Sequence, residues 1–89
     1  MNTIKKTWLA NDNELLQYAR MTAEGLMYEW NIEKEGKQLP WILGITDARN
    51  NLDALTSWIS EQIVMHQLSQ EDAPHFIRIK LSNVFLDAI

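Results

Sequence analysis

Histidine and carboxylate side chains are the groups in this sequence that could bind a metal ion or move a proton. The histidines are His66 and His75, and the nearest carboxylates between them are Glu71 and Asp72. A zinc site needs three or four ligands that converge, usually from short spaced motifs. Two histidines on separate predicted helices match no such motif. We therefore expect no metal site and no cofactor, with one histidine half-buried and the other near a helix start.

A serine hydroxyl could act as a nucleophile only if a histidine activated it and a carboxylate oriented that histidine. No serine lies in a glycine-flanked elbow, and the candidates are Ser57, Ser60, Ser69 and Ser82. Ser69 follows a predicted helix, where a serine usually serves as a cap. The sequence also lacks a glycine-rich phosphate loop. It predicts no catalytic residue, and a small enzyme that uses His66 or His75 is the third hypothesis for its function.

The basic residues are spread along a chain whose formal net charge is −4. Phosphate binding requires lysines and arginines gathered on one face. The composition therefore disfavours nucleic-acid binding. An acidic surface could instead meet a basic protein partner, although a net charge of −4 is explained more simply by the solubility of a small domain. A nucleic-acid-associated regulator is the second hypothesis, with contacts from Lys5, Lys6, Trp8, Arg78 and Lys80.

The composition predicts one cytoplasmic domain that spans residues 1–89. The 46% of hydrophobic residues and 22% of charged residues are typical of globular domains. The absence of cysteine excludes disulfide bonds and thiolate metal sites, and it favours a reducing compartment. No apolar run approaches the ~20 residues that cross a bilayer. No apolar stretch follows Lys5 and Lys6 as it would in a secretory signal.

Residues 28–45 alternate apolar and polar side chains with the period of two that is typical of a β-strand. Gly36 indicates a turn in the middle of this stretch. A two-residue loop there would place three apolar pairs on one face, namely Tyr28 with Leu43, Trp30 with Trp41 and Ile32 with Leu39. The pattern predicts an antiparallel hairpin, and residues 3–9 are a candidate third strand.

Three further segments have the 3.6-residue apolar period of a helix. The first covers residues 12–26 with Gly25 as its stop, and the second covers residues 51–67. The third covers residues 72–87, where capping by Asp72 rather than Ser69 leaves Pro74 in the first turn. We therefore predict an α+β fold, in which two to three helices pack on one face of an antiparallel β-hairpin or three-stranded sheet.

A predicted sheet edge is the most concrete interaction surface in this sequence. Pro40 donates no hydrogen bond, which indicates a free edge beside the second strand. Ile42 faces away from Trp41, on the side of the hairpin that also carries Glu29, Asn31 and Glu33. Trp8 is a further candidate anchor, since tryptophan is enriched at binding hot spots. An edge that accepts a strand would bind another protein, and a self-pairing edge would give a homodimer.

Two short motifs follow the hairpin prediction, Trp41-Ile42-Leu43-Gly44 and Leu52-Asp53-Ala54-Leu55. With them, the stretch from Trp30 to Leu55 resembles small uncharacterised hairpin-plus-helix proteins encoded by phages and prophages. Those proteins show Trp-x-x-Gly and then a Leu-x-x-Ala-Leu-like helix start, a spacing from which Leu-Asp-Ala-Leu departs. The resemblance covers about a third of the chain and carries no site residues. It implies an accessory protein of a mobile element that acts by binding.

The first hypothesis is therefore a small acidic protein-binding module of phage or bacterial origin that inhibits or regulates a host protein. It depends on the absence of recognisable catalytic motifs, the predicted sheet edge and the surplus of tryptophan, of which the chain has four.

Overall fold

The computed structural model describes residues 12–87, which form four helices. These are α1 (Asp12–Glu29), α2 (Gln38–Leu43), α3 (Asn51–Met65) and α4 (Ala73–Asp87). Residues 12–87 contain no β-strand, so the predicted α+β fold and its hairpin are wrong. The predicted strand at residues 3–9, together with Trp8, lies outside the described residues.

Helix α3 is the centre of the fold because α1, α2 and α4 all pack against it. Its buried apolar side chains recur with the helical period, and they are Ala54, Leu55, Trp58, Ile59 and Ile63. The apolar period of residues 51–67 predicts four of these five as core, all except Ala54. It also places His66 on the same stripe, but His66 is exposed and follows the last residue of the helix.

Helix α1 presents small side chains to α3, with Ala19 and Ala23 fully buried and Leu26 and Met27 next to them along the same face. The helix does not stop at Gly25 as predicted but continues to Glu29. Burial of Leu26 and Met27 in the core favours helix across a glycine that costs about 0.5–1 kcal/mol relative to alanine. Tertiary packing therefore decides where this helix ends.

Helix α4 begins at Ala73, next to the predicted cap Asp72, with Pro74 in its first turn. The Ser69 hydroxyl accepts a hydrogen bond from the Asp72 backbone N–H at 3.2 Å, so Ser69 makes a cap-type hydrogen bond before α4, where the sequence predicts Asp72 rather than Ser69 as the cap. Along the helix, Ala73, Ile77 and Leu81 are fully buried. The predicted helix over residues 72–87 is thus confirmed to within one residue at its start.

Three of the helices end in the same backbone motif, with a left-handed residue followed by an aliphatic one. The left-handed residues are Asn31 (φ 56°), Gly44 (φ 72°) and Gln67 (φ 50°). The next N–H bonds to a carbonyl five residues back: Ile32 to Met27 (2.8 Å), Ile45 to Pro40 (3.0 Å) and Leu68 to Ile63 (3.0 Å). This is the Schellman motif, and its aliphatic residue packs on the core in each case.

Candidate protein-binding surface

Asn51 attaches α2 to α3. Its side chain is buried, with 2% of the residue exposed. The Nδ2 amide donates to the Glu33 carbonyl at 2.7 Å, and the Oδ1 atom accepts from the Leu39 backbone N–H at 2.7 Å. The residue before α2, Lys37, makes no side-chain cap. Asn51 therefore supplies, from another helix, the acceptor that an N-cap side chain would normally provide.

The loop over residues 33–37 is tied to the first turn of α3 by further hydrogen bonds. The Asn51 backbone N–H donates to the Gly36 carbonyl at 2.7 Å, and the Leu52 N–H donates to the Lys34 carbonyl at 3.1 Å. A Cβ atom at Gly36 would lie 2.6 Å from Asn51 Nδ2. The predicted turn glycine is thus needed for a close approach of the Asn51 amide, and it belongs to no hairpin.

The cap of α3 itself comes from the neighbouring Asn50. The Asp53 N–H donates to Asn50 Oδ1 at 2.9 Å, and the Asp53 carboxylate accepts from the Arg49 N–H at 2.9 Å. The Lys37 ammonium also donates to the Arg49 carbonyl. These bonds fix the start of α3. They therefore also fix the position of Asn51, which caps α2.

Held by Asn51 at its start and by the Gly44 motif at its end, α2 presents Trp41 to solvent. Leu39 and Pro40 are buried, and Ile42 is half-buried against the core. The Trp41 residue is 87% exposed. In a helix, the Leu39, Ile42 and Leu43 side chains share one face and Trp41 points away from it.

Trp41, Ile42, Val84 and Asp87 line a depression of about 630 Å³ between α2 and the last turn of α4. We call these four residues the Trp41 surface. They combine an aromatic ring, two aliphatic side chains and a carboxylate. The last turn of α4 contains no basic residue, and Asp87 forms no ion pair with any residue between 12 and 87. The Trp41 surface therefore presents both apolar and polar area, and its one carboxylate has no cationic partner among residues 12–87.

The structure separates the residues that the sequence placed on one strand face. Pro40 is buried in the first turn of α2, where its missing N–H is tolerated, so it marks no sheet edge. Glu29 ends α1, Asn31 forms a turn and Glu33 lies in the loop. Ile42 alone of the predicted interface residues between 12 and 87 lines the Trp41 surface. The sheet-edge hypothesis is wrong, because the described chain has no strand.

Two of the exposed carboxylates are engaged in ion pairs. The Arg78 guanidinium donates to both carboxylate oxygens of Glu29 and holds the pKa of Glu29 below its ordinary value. Glu29 in turn raises the pKa of Arg78. The Lys34 ammonium, 2.9 Å from Glu24, likewise lowers the pKa of Glu24. The charge of Arg78, proposed as a phosphate contact from sequence, is therefore used within the protein.

The histidines lie away from the Trp41 surface and are both exposed. The ring of His66 contacts that of Phe76, with centroids 4.7 Å apart. His75 lines a second depression of about 460 Å³ along α4, together with Phe76 and Glu71. Between residues 12 and 87, no group of three histidine or carboxylate side chains is placed to hold a metal ion.

Sequence reasoning missed the exposure of Trp41 and the contribution of Val84 and Asp87 to one surface. The period-two pattern placed Trp41 beside Leu39 and Leu43 in the core. Two local signals point the other way, since Pro40 suits the first turn of a helix and Gly44 suits its end. When the six residues of α2 are given the 3.6-residue period of a helix, Trp41 lies on the solvent-exposed face.

The comparisons with known proteins give no relative, because the chain matches no protein-family model, no curated protein and no solved structure. Within residues 12–87, none of the helices is both long and apolar enough to cross a bilayer.

Proposed function

We propose that this chain is a small protein-binding module and that the Trp41 surface contacts its partner. The observation that supports the proposal most directly is the 87% exposure of Trp41. Burial of a large apolar side chain is worth about 1.5–3 kcal/mol. Tryptophan is also among the residues most enriched at the energetic centres of interfaces. A partner that covers this ring would gain that free energy on binding.

The support beneath Trp41 favours recognition by a preformed surface. Helix α2 is short, but Asn51 and the Gly44 motif fix both its ends, and Leu39 anchors it in the core. A side chain on a fixed backbone loses less conformational freedom on binding than one on a mobile loop. We therefore expect the partner to meet Trp41 in the arrangement described above.

We further propose that the module works in the cytoplasm, where it inhibits or regulates a larger host protein. The cysteine-free composition and the resemblance to phage-encoded proteins support this setting. We propose no enzymatic activity, since His66 and His75 contribute nothing to the Trp41 surface.

The test is affinity capture from the native host with the wild-type chain and two alanine variants. We expect Trp41→Ala to weaken retention of the partner by roughly 30-fold, as for a hot spot of about 2 kcal/mol. Tyr28→Ala is the matched control, because Tyr28 is 91% exposed and lines a different depression with Glu24 and Lys34. Substitution of either exposed ring should leave stability within about 0.5 kcal/mol.

Equal retention by wild type and Trp41→Ala would exclude the Trp41 surface as the binding site. Retention lost only with Tyr28→Ala would move the site to α1. Sedimentation of the purified chain separates self-association from hetero-association, since a homodimer through this surface would dissociate in the Trp41→Ala variant.

A further inference from the structure

We infer that the Trp41 surface binds a cationic side chain of the partner, best an arginine, between the Trp41 ring and the Asp87 carboxylate. This inference rests on the proposed function and specifies its ligand. The occupant is thus a basic segment of another protein, with one arginine as its central contact.

The chemistry of the four lining residues matches the parts of an arginine. The exposed face of a tryptophan attracts a cation within about 6 Å of the ring through its quadrupole. Asp87 offers a carboxylate in the same depression, and a planar guanidinium can stack on the ring while it donates to those oxygens. Ile42 and Val84 provide an apolar wall for the aliphatic stem.

The charges around two of the other depressions make them poorer sites for a cation. Beside Tyr28, the Lys34 ammonium is already present and pairs with Glu24. Along α4, the Lys80 ammonium lines the depression together with Glu71 and Asp72, so a second cation would meet a positive charge that is already there. At the Trp41 surface no lysine or arginine lines the depression, and Asp87 has no cationic partner among residues 12–87.

The net charge of the whole chain also favours a basic partner. A formal net charge of −4 attracts a basic segment at long range and repels an acidic one. Affinity for such a segment should therefore fall as salt screens the attraction.

The experiment is a titration of the ¹⁵N-labelled full chain with N-acetyl-arginine amide, observed by heteronuclear NMR. N-acetyl-citrulline amide is the matched probe, because it has nearly the same shape and no charge. We expect the arginine probe to shift the Trp41 indole N–H and the Ile42, Val84 and Asp87 amides, and the citrulline probe to shift them far less. The Trp41→Ala spectrum assigns the indole signal by its loss.

Two variants test the contributions of the Trp41 ring and the Asp87 carboxylate separately. We expect Trp41→Ala to abolish the shifts, and Asp87→Asn to weaken binding by about two- to fivefold, as for one exposed charge pair. Tyr28→Ala should leave the titration unchanged. Equal shifts with the citrulline probe, shifts centred on other residues, or no specific shift up to the solubility of the arginine probe would each overturn the inference.

The failure of this inference is distinguishable from the failure of the proposed function. If the captured partner is lost with Trp41→Ala but binds Asp87→Asn as tightly as wild type, and if its affinity is independent of salt, protein binding stands and the cationic ligand is excluded. If Trp41→Ala has no effect on capture, the proposed function itself fails.

Discussion

At the scale of single residues, Asn51 is the polar side chain on which the position of α2 depends. It satisfies two backbone groups that belong to different segments, the Glu33 carbonyl and the Leu39 N–H. A buried backbone group left without a partner costs about 1–3 kcal/mol. One side chain thus joins the loop, α2 and α3, and Trp41 depends on it for its placement.

We predict that Asn51→Ala lowers the free energy of unfolding by about 1–3 kcal/mol, because the buried Leu39 N–H loses its acceptor. Asn50→Ala is the control, because it removes the α3 cap, which is worth typically ~1 kcal/mol, and one exposed hydrogen bond from Asn50 Nδ2 to Glu35. Urea denaturation followed by tryptophan fluorescence measures both. A loss at Asn51 no larger than that at Asn50 would contradict the role assigned to Asn51.

At the scale of elements, the Schellman motifs explain both the compactness of the connections and the failure of the hairpin prediction. The left-handed residue turns the chain out of a helix, and the aliphatic residue after it returns to the core. Trp30 and Ile32 therefore alternate with Asn31 as strand residues would, although Asn31 has φ 56° and lies in a turn.

We predict that Gln67→Gly stabilises the protein by about 0.5–1 kcal/mol, because glycine adopts a positive φ without the steric cost that glutamine carries. Gln17→Gly inside α1 should have the opposite effect, since glycine weakens a helix interior. Thermal denaturation compares the two. If both variants shifted the midpoint in the same direction, the left-handed conformation at Gln67 would be refuted.

The helices that sequence predicts well are those with a long apolar repeat. In α3, Leu55, Ile59 and Ile63 repeat every four residues and are all buried on one face. In α4, Ile77 and Leu81 have the same spacing and are also buried. In contrast, α2 has six residues, and its apolar positions match a period of two as well as a period of 3.6. Its capping acceptor is Asn51, far along the chain and invisible to a local reading. For that reason the sequence predicts Trp41 in the core, although the residue is exposed.

At the scale of the whole molecule, the ion pair of Glu29 with Arg78 links the end of α1 to the middle of α4. Because hydrogen bonding to Arg78 lowers the pKa of Glu29, the folded state favours the charged carboxylate. The stabilisation is thus present at neutral pH and is lost as pH falls below the ordinary value of 4.5 and through the lowered pKa.

We predict that Arg78→Gln raises the pKa of Glu29 toward its ordinary value. The pKa of Glu24, which pairs with Lys34, should stay low in the same variant. Carboxylate ¹³C chemical shifts during an acid titration report both groups separately. An unchanged Glu29 titration in Arg78→Gln would show that the pair does not form in solution.

The molecule as a whole has a buried centre around α3 and an exposed tryptophan that its packing does not need. The direct measurement of what covers that ring is photocrosslinking in the native host with p-benzoylphenylalanine at position 38, an exposed position one helical turn before Trp41 that leaves the ring in place, and at position 28 as the matched exposed site. We predict a discrete adduct with one basic protein from position 38 and none from position 28. Adducts from position 28 alone, or none from position 38, would contradict the assignment of the Trp41 surface as a protein-binding site.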